Sequence, residues 1–164
     1  MLTGYRVLGF DLETTGFSHK TDRIVQFAFI GSDADGSHIN LQSLVNPGVR
    51  IPAETTRVHG ITDDDVREAS DFSQHIAEIT SIVEDSVLVG HNVLQFYWSF
   101  LVTACIRARV ETQRPRAIIA TLDLARRLRI LGRHTLGHLC HRLGTARHRS
   151  HQDDRDAGPA TMWP

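Results

Sequence analysis

An α/β fold with a central mixed five-stranded sheet flanked by helices is the architecture that this sequence predicts. Three strand-like segments follow one another near the N-terminus, with only short turns between them. Two short apolar segments later in the chain alternate with helix-like segments. Strands joined by short turns pair antiparallel, whereas strands joined through helices pair in parallel, so one sheet should contain both arrangements. The chain is expected to form a single domain spanning residues 1–164.

The three N-terminal segments are rich in β-branched and aromatic residues, which favour strands. They cover residues 5–12, 23–30 and 37–45. The turn signal Asp-Ala-Asp-Gly at residues 33–36 separates the second segment from the third, and Asn-Pro-Gly at residues 46–48 ends the third. Together they predict an antiparallel meander.

The rest of the chain predicts helices around two further strands. Thr62 can cap a helix that opens with three aspartates, because carboxylates are favoured at a helix N-terminus. Residues 87–91 and 117–120 have the pattern of short buried strands, and Thr121 is expected to cap the helix after the second. Apolar residues at helical spacing predict the other helices, over residues 71–84, from Asn92 onward and over residues 135–143.

Composition and charge are those of an ordinary globular protein. Hydrophobic residues make up 41% of the chain and charged residues 23%. No apolar run approaches the roughly 20 residues needed to cross a membrane, so no membrane association is expected. The sequence has no signal-peptide pattern and its two cysteines form no CxxC pair, which favours a cytoplasmic location.

The net charge of −1 hides an asymmetry between the two parts of the chain. Residues 1–104 carry 6 basic and 14 acidic side chains, and residues 105–164 carry 12 basic and 5 acidic ones. An acidic part beside a basic part is what a metal centre next to a polyanion groove requires. Arginine accounts for all the basic residues except Lys20. A GC-rich genome is the favoured explanation of this arginine bias.

Two carboxylates lie one residue apart at the end of the first predicted strand. Side chains at positions i and i+2 of a strand point to the same face, so Asp11 and Glu13 should project together. Two like charges held that close resist ionisation unless a cation lies between them, and hard divalent cations prefer oxygen ligands. A solvated edge strand whose acids face water is the alternative interpretation.

The segment Phe-Asp-Leu-Glu-Thr-Thr-Gly at residues 10–16 resembles the first motif of the DEDDh 3′→5′ exonucleases. That family includes the proofreading subunits and domains of bacterial replicative DNA polymerases. The segment from Gly90 to Leu101, with Gly-His-Asn, then Phe, then Phe-Leu, resembles the second motif. His151-Gln-Asp-Asp-Arg-Asp156 fits the third motif, His-x-x-x-x-Asp, although a polar tail or a register starting at His148 is an alternative.

The resemblance implies a ribonuclease H-like fold and a metal-dependent 3′→5′ exonuclease that acts on single-stranded DNA or RNA 3′ ends. It implies Mg²⁺ or Mn²⁺ held by Asp11, Glu13 and Asp156, with His151 as general base and nucleoside 5′-monophosphates as products. A DNA polymerase subunit is an expected partner. The positions that correspond to the nucleotide pocket are Thr14, Thr15, Gly16, His59, Asn92 and Phe96. Without the resemblance, His59 is as readily a histidine fixed in a tight glycine turn.

The sequence departs from the family pattern at two places. Tyr97 stands where the second motif has an aspartate, and no acid lies between Ser86 and Val110 to replace it. A neutral phenol is a poor ligand for Mg²⁺, so we expect one retained metal site and impaired activity. After Asp156, Gly158 and two prolines interrupt the helix that relatives have there, which is expected to be truncated. The alternative function is a catalytically inactive domain that binds nucleic acid or associates with a polymerase.

One further pattern remains outside this resemblance. Three histidines lie close together at the helix predicted over residues 135–143 and could bind zinc. They are His134, directly before the helix, and His138 and His141 within it. No acid or cysteine on that face completes the coordination shell. Solvent-exposed histidines are therefore the favoured interpretation.

Overall fold

The computed structural model describes residues 4–144. Its five strands form one sheet in the order β3-β2-β1-β4-β5. β1 pairs antiparallel with β2 and parallel with β4, β2 pairs antiparallel with β3, and β4 pairs parallel with β5. The predicted meander and the mixed sheet are confirmed. The strands are β1 (Val7–Thr14), β2 (Ile24–Ser32), β3 (His38–Leu44), β4 (Val87–Gly90) and β5 (Ala117–Ala120).

Helices fill the connections after β3. Two short helices lie between β3 and the longer helical segment that precedes β4, and α4 joins β4 to β5. The helices are α1 (Ala53–His59), α2 (Asp63–Val66), α3 (Ile76–Val83), α4 (Trp98–Arg107), α5 (Thr121–Arg127) and α6 (Leu136–Leu143). No helix in this part of the chain is long and apolar enough to cross a membrane.

β1 lies at the centre of the sheet and has two unlike faces. Leu8, Phe10 and Leu12 are buried, and the residues between them are half-buried. Phe10 stacks on Phe29 of β2, with ring centroids 4.4 Å apart. The core on that side is completed by apolar residues of α3 and α4, namely Ile76, Ile79, Val83, Phe100 and Leu101. The alternation of β1 therefore leaves its odd-numbered residues, including both carboxylates, on the other face.

Local sequence signals explain the start of α2. Thr62 Oγ1 accepts a hydrogen bond from the backbone N–H of Asp65, and the Asp65 carboxylate accepts one from the Thr62 N–H. The predicted cap at Thr62 is confirmed, and the structure shows that it is a reciprocal capping box with Asp65.

Three helix predictions need correction. The helix predicted over residues 71–84 begins with a 3₁₀ turn at Phe72–His75 before α3. The helix predicted from Asn92 begins with a π-helical turn at Val93–Tyr97 before α4. Thr121 does not cap α5: it lies inside the first turn, and its hydroxyl instead lies 3.2 Å from His91 Nδ1. Thr121 thus contacts His91, directly after β4, and the spacing of residues along the sequence cannot reveal this contact.

The expectation of solvent-exposed histidines on α6 is only partly right. His141 is exposed, whereas His134 and His138 are half-buried. His134 Nε2 lies 2.6 Å from the carbonyl oxygen of Ile130, and His138 packs against Gly132. Within residues 4–144 no group of three or more histidine, cysteine or acidic side chains could hold a metal ion. The predicted domain limits and the truncated last helix extend past Gly144, so both stay predictions.

Candidate active site

Asp11 and Glu13 lie together on the half-buried face of β1. Burial of the Glu13 side chain, and second the charge of Asp11, raise the pKa of Glu13 to about 8. The Asp11 carboxylate accepts a hydrogen bond from the backbone N–H of Leu12 at 3.0 Å. At neutral pH this pair therefore retains a proton on Glu13 unless a cation replaces it.

Tyr97 lies beside this pair. Its phenol hydroxyl donates a hydrogen bond to Asp11, and its ring packs edge-on against Phe10 at 5.9 Å between centroids. Burial, and second the charge of Asp11, raise the pKa of Tyr97 far above its ordinary range. Tyr97 therefore stays a neutral hydrogen-bond donor beside Asp11.

The π-helical turn between β4 and α4 carries Tyr97 to this position. The turn follows Gly90, whose Cα approaches β1 so closely that a Cβ would lie 2.6 Å from the carbonyl oxygen of Phe10. An added residue in a helical turn changes which side chains face a neighbour, and π-helical turns are frequent at functional sites. Here Tyr97 faces Asp11 while Phe96 faces a neighbouring cleft.

The Thr-Thr-Gly turn after β1 is fixed by hydrogen bonds. Thr14 Oγ1 donates to the carbonyl oxygen of Gly16 at 2.6 Å. Thr15 pairs with Arg23 through the Thr15 N–H at 2.8 Å and through its hydroxyl, which accepts from the Arg23 N–H at 3.0 Å. Gly16 packs so tightly on Asp22 that a Cβ would collide with the Asp22 carboxylate. The turn is therefore held rigidly at the end of β1.

A cleft of about 240 Å³ opens beside Glu13. Phe17, directly after the turn, is 85% exposed, and its ring centroid lies 6.2 Å from that of Phe96. An exposed aromatic side chain at the rim of a cleft offers a flat surface for a planar group. The lining residues are Leu12, Glu13, Thr14, Gly16, Phe17, Thr55, Val58, His59, Asn92, Phe96 and Tyr97.

The structure brings most of the predicted nucleotide-pocket residues to this one cleft. His59 is 3% exposed at the end of α1, directly before Gly60 with φ +78°, and its Nδ1 accepts from the Ile61 N–H at 3.0 Å. It is thus both fixed in a glycine turn and part of the lining. Thr15 is the exception, because its buried side chain holds Arg23 and does not line the cleft.

Phe17, Thr55 and Val58 line the cleft although the sequence did not single them out. Phe17 follows Thr-Thr-Gly directly, and that position was the available signal. Its exposure next to Phe96 depends on the fold of the turn. Thr55 lies four residues before His59 and three before Val58, so a helix through residues 53–59 places Thr55 beside both of them.

A second cleft, of about 500 Å³, lies on the same face of the sheet at Asp11. It is mostly apolar, and Asp11, His91 and Thr121 are its polar side chains of interest. Tyr97 lines both clefts and lies between them. α6 contributes Leu136 to the wall of the 500 Å³ cleft. His151 and Asp156, predicted as base and last metal ligand, lie outside residues 4–144.

Comparisons with known proteins agree with this geometry. The exonuclease family model (RNase T) matches residues 8–159. The PolC-type DNA polymerase III of Streptococcus pneumoniae serotype 2 is 34% identical over 149 residues, which are 90% of this chain and 10% of that polymerase. The PolC-type enzyme of Pediococcus pentosaceus is 30% identical over 125 residues, which are 76% of this chain and 9% of that one.

Solved structures of exonuclease I share the fold. One superposes with a TM-score of 0.77 at 21% identity, covering 91% of this chain and 37% of that one. Escherichia coli exonuclease I in complex with a dA16 oligonucleotide gives 0.74 at 20% identity, covering 89% and 37%. This chain thus spans about a tenth of the polymerases and well under half of these exonucleases. The predicted ribonuclease H-like architecture is confirmed, and the chain belongs to the exonuclease family.

Proposed function

We propose that this chain is a metal-dependent 3′→5′ exonuclease domain whose activity is lowered by Tyr97. It acts on the 3′ ends of single-stranded nucleic acid and releases nucleoside 5′-monophosphates. One observation carries the proposal: Asp11 and Glu13 share a half-buried face at the mouth of a cleft rimmed by exposed Phe17.

The donor set fits a divalent cation. Two carboxylates that cannot both ionise at neutral pH have a strong electrostatic preference for a cation between them. Their hard oxygen atoms suit Mg²⁺ or Mn²⁺, which Asp11 and Glu13 would hold together with Asp156. When bound, such an ion would polarise a phosphoryl oxygen and stabilise the leaving oxygen.

The cleft residues account for binding of a terminal nucleotide. The Phe17 ring can stack on a base, since aromatic–base stacking needs no particular base. The fixed Thr14–Gly16 turn, His59 and Asn92 provide polar groups for the sugar and phosphate. His151 is the group that we assign to take the proton from the attacking water.

Single-stranded DNA and a polymerase are the proposed partners. Matched exonuclease I structures contain deoxyadenylate or thymidylate oligonucleotides, and the matched curated relatives are DNA polymerases. An association with a replicative polymerase would also place the chain in the cytoplasm. DNA is therefore the substrate to test first, with RNA as comparison.

The hydrogen bond from Tyr97 to Asp11 favours a second candidate function. It adds no negative charge to the site, so a second metal would lack one carboxylate. The alternative is a catalytically inactive domain that binds single strands or associates with a polymerase.

Release of labelled mononucleotides from a 3′-labelled oligonucleotide distinguishes the two candidates. We expect slow release with Mn²⁺, abolished by Asp11→Asn, with strand binding retained in that variant. Binding without any metal-dependent release in the unmodified chain would reject the exonuclease proposal in favour of the binding domain.

A further inference from the structure

The loop between β1 and β2 borders a cleft near each of its ends. Gly16 and Phe17, near the start of the loop, line the proposed nucleotide cleft. Arg23, the last residue of the loop, lines a different cleft of about 230 Å³ together with Arg107 of α4. The remaining wall is mostly apolar, formed by residues such as Val45, Phe72, Ala104 and Ala108.

Both arginines bind only neutral acceptors. The Arg107 guanidinium donates to the carbonyl oxygens of His19 at 3.0 Å, Lys20 at 2.7 Å and Asp22 at 3.1 Å. The Arg23 guanidinium donates to the carbonyl oxygens of Thr21 at 2.6 Å and of Asp22 at 3.1 Å. Across residues 4–144 neither arginine forms a salt bridge.

The two positive charges lie close enough to affect each other. Burial, and second the charge of Arg23, lower the pKa of Arg107, which Asp22 only partly offsets. Asp71 also lines the cleft, but its carboxylate accepts from the N–H and hydroxyl of Ser73, where it caps a 3₁₀ turn. The lining of the cleft therefore carries the two positive charges of Arg23 and Arg107 against the one negative charge of Asp71.

We propose that Arg23 and Arg107 bind a phosphodiester group of the single strand whose 3′ end lies in the nucleotide cleft. This inference rests on the proposed function. Guanidinium groups match phosphate oxygens in geometry and charge. The shared loop connects the two sites, so a strand that leaves the rim at Phe17 can follow the loop toward Arg23. Arg107 also fixes that loop, and the two roles are compatible.

The test compares strand lengths without catalysis. Fluorescence anisotropy in EDTA measures binding of labelled oligothymidylates of three and of twelve nucleotides. Arg23→Gln and Arg107→Gln should each weaken binding of the longer strand by about fivefold at low salt and reduce its salt slope by about one. We expect the trinucleotide to end short of the cleft at Arg23 and Arg107, so its binding should stay within about twofold of the unmodified chain.

Two variants serve as controls. Arg116→Gln removes the same charge at the other edge of the sheet, where Arg116 pairs with Asp85 and lies over Tyr5, and it should leave both affinities unchanged. Arg23→Lys keeps the charge and should recover most of the affinity for the longer strand.

The outcomes separate this inference from the proposed function. If the arginine variants match Arg116→Gln, no strand phosphate binds in the cleft at Arg23 and Arg107. If they weaken the trinucleotide equally, the arginines only hold the loop, and the inference is overturned. If the unmodified chain binds neither length, the proposed function itself fails.

Discussion

The chemistry of this site depends on the proton balance of three side chains. Glu13 and Asp11 repel each other in a partly dehydrated position, and the Tyr97 hydroxyl donates a hydrogen bond to Asp11. The repulsion favours either a proton on Glu13 or a cation between the carboxylates. Tyr97 stabilises Asp11 as an anion by a neutral hydrogen bond but supplies no charge for a second cation.

The raised pKa of Glu13 predicts a pH-dependent stability in the absence of metal. The folded state keeps a proton up to about pH 8 that the unfolded chain releases near 4.5. The Glu13 contribution is therefore fully present below the unfolded pKa and is lost as pH rises through the folded one. In EDTA, the melting temperature of the unmodified chain should fall relative to Glu13→Gln by a few degrees between pH 6 and about 8.5. Parallel melting curves for the two proteins would contradict the assignment.

Calorimetric titration tests the number of metal sites. With Asp11 and Glu13 present and only the neutral Tyr97 beside them, we expect one tighter Mn²⁺ site and a weak or absent second one. Glu13→Gln should remove most of the heat of binding at the tighter site. Two sites of similar affinity in the unmodified chain would show that Tyr97 does not limit metal binding.

Replacement of Tyr97 by aspartate should restore the missing charge. We expect Tyr97→Asp to raise Mg²⁺-dependent release of 5′-mononucleotides by about a hundredfold, because it adds a carboxylate beside Asp11. Tyr97→Phe is the matched control, since it removes the hydroxyl without adding charge and should give no gain. The gain should disappear with Asp11→Ala and should fall sharply with His151→Ala. If the unmodified chain is already as active as the aspartate variant, Tyr97 does not impair this site.

Two elements place these side chains: the end of β1 and the π-helical turn before α4. The bulge between Glu13 and Thr14 ends the regular pairing of β1 and starts the Thr-Thr-Gly turn. The π-helical turn brings Tyr97 to Asp11 and Phe96 to the cleft. Both elements depend on contacts with their neighbours. The Thr-Thr-Gly turn is held by its hydrogen bond with Arg23, and the π-helical turn is placed by the close approach of Gly90 to β1.

Phe17 is the side chain of this turn whose role is most easily measured. Phe17→Ala should weaken binding of a short single strand by about 1–3 kcal/mol, the usual value of one base–aromatic stack. Because Phe17 is 85% exposed, the melting temperature should scarcely change. Leu131→Ala, at a position that is 74% exposed, is the matched control and should leave strand affinity unchanged. Equal affinity of Phe17→Ala and the unmodified chain would remove Phe17 from the site.

Across the whole molecule, charge is unevenly distributed. Acidic residues dominate the part of the chain that carries β1 and the short helices, and arginines dominate the part after residue 104. The sheet joins the two parts, because β4 pairs with β1 and β5 pairs with β4. The carboxylate pair and the arginine-rich part are thereby joined through one sheet, as the proposed function requires.

The arginine-rich part predicts salt-sensitive binding of single strands. Affinity of the unmodified chain for an oligonucleotide should fall steeply between about 50 and 200 mM salt, as counterions compete for the phosphates. A binding isotherm at each salt concentration gives the slope, and a protein-free oligonucleotide gives the baseline. Affinity that is independent of salt would mean that the arginine content does not form a binding groove.

Features that depend on near neighbours in the chain could be predicted from the sequence. Strand periodicity placed Asp11 and Glu13 on one face, and Thr62 before the aspartates predicted a helix cap. Both depend on interactions within a few residues, which local pattern encodes. The mixed sheet was predicted from the connections, which are short turns between the first three strands and helices before the last two. The motif at residues 10–16 likewise identified the family before any fold was known.

The contacts between residues distant in sequence could not be predicted, because burial and long-range contacts arise from tertiary packing. The hydroxyl of Tyr97 reaches Asp11 across 86 positions of sequence through a π-helical turn that spacing alone would read as regular helix. Burial, which no sequence pattern measures, raises the pKa of Glu13 to about 8. Arg23 and Arg107 line the same cleft because α4 packs against the loop after β1. Phe17, in the same loop, is exposed at another cleft.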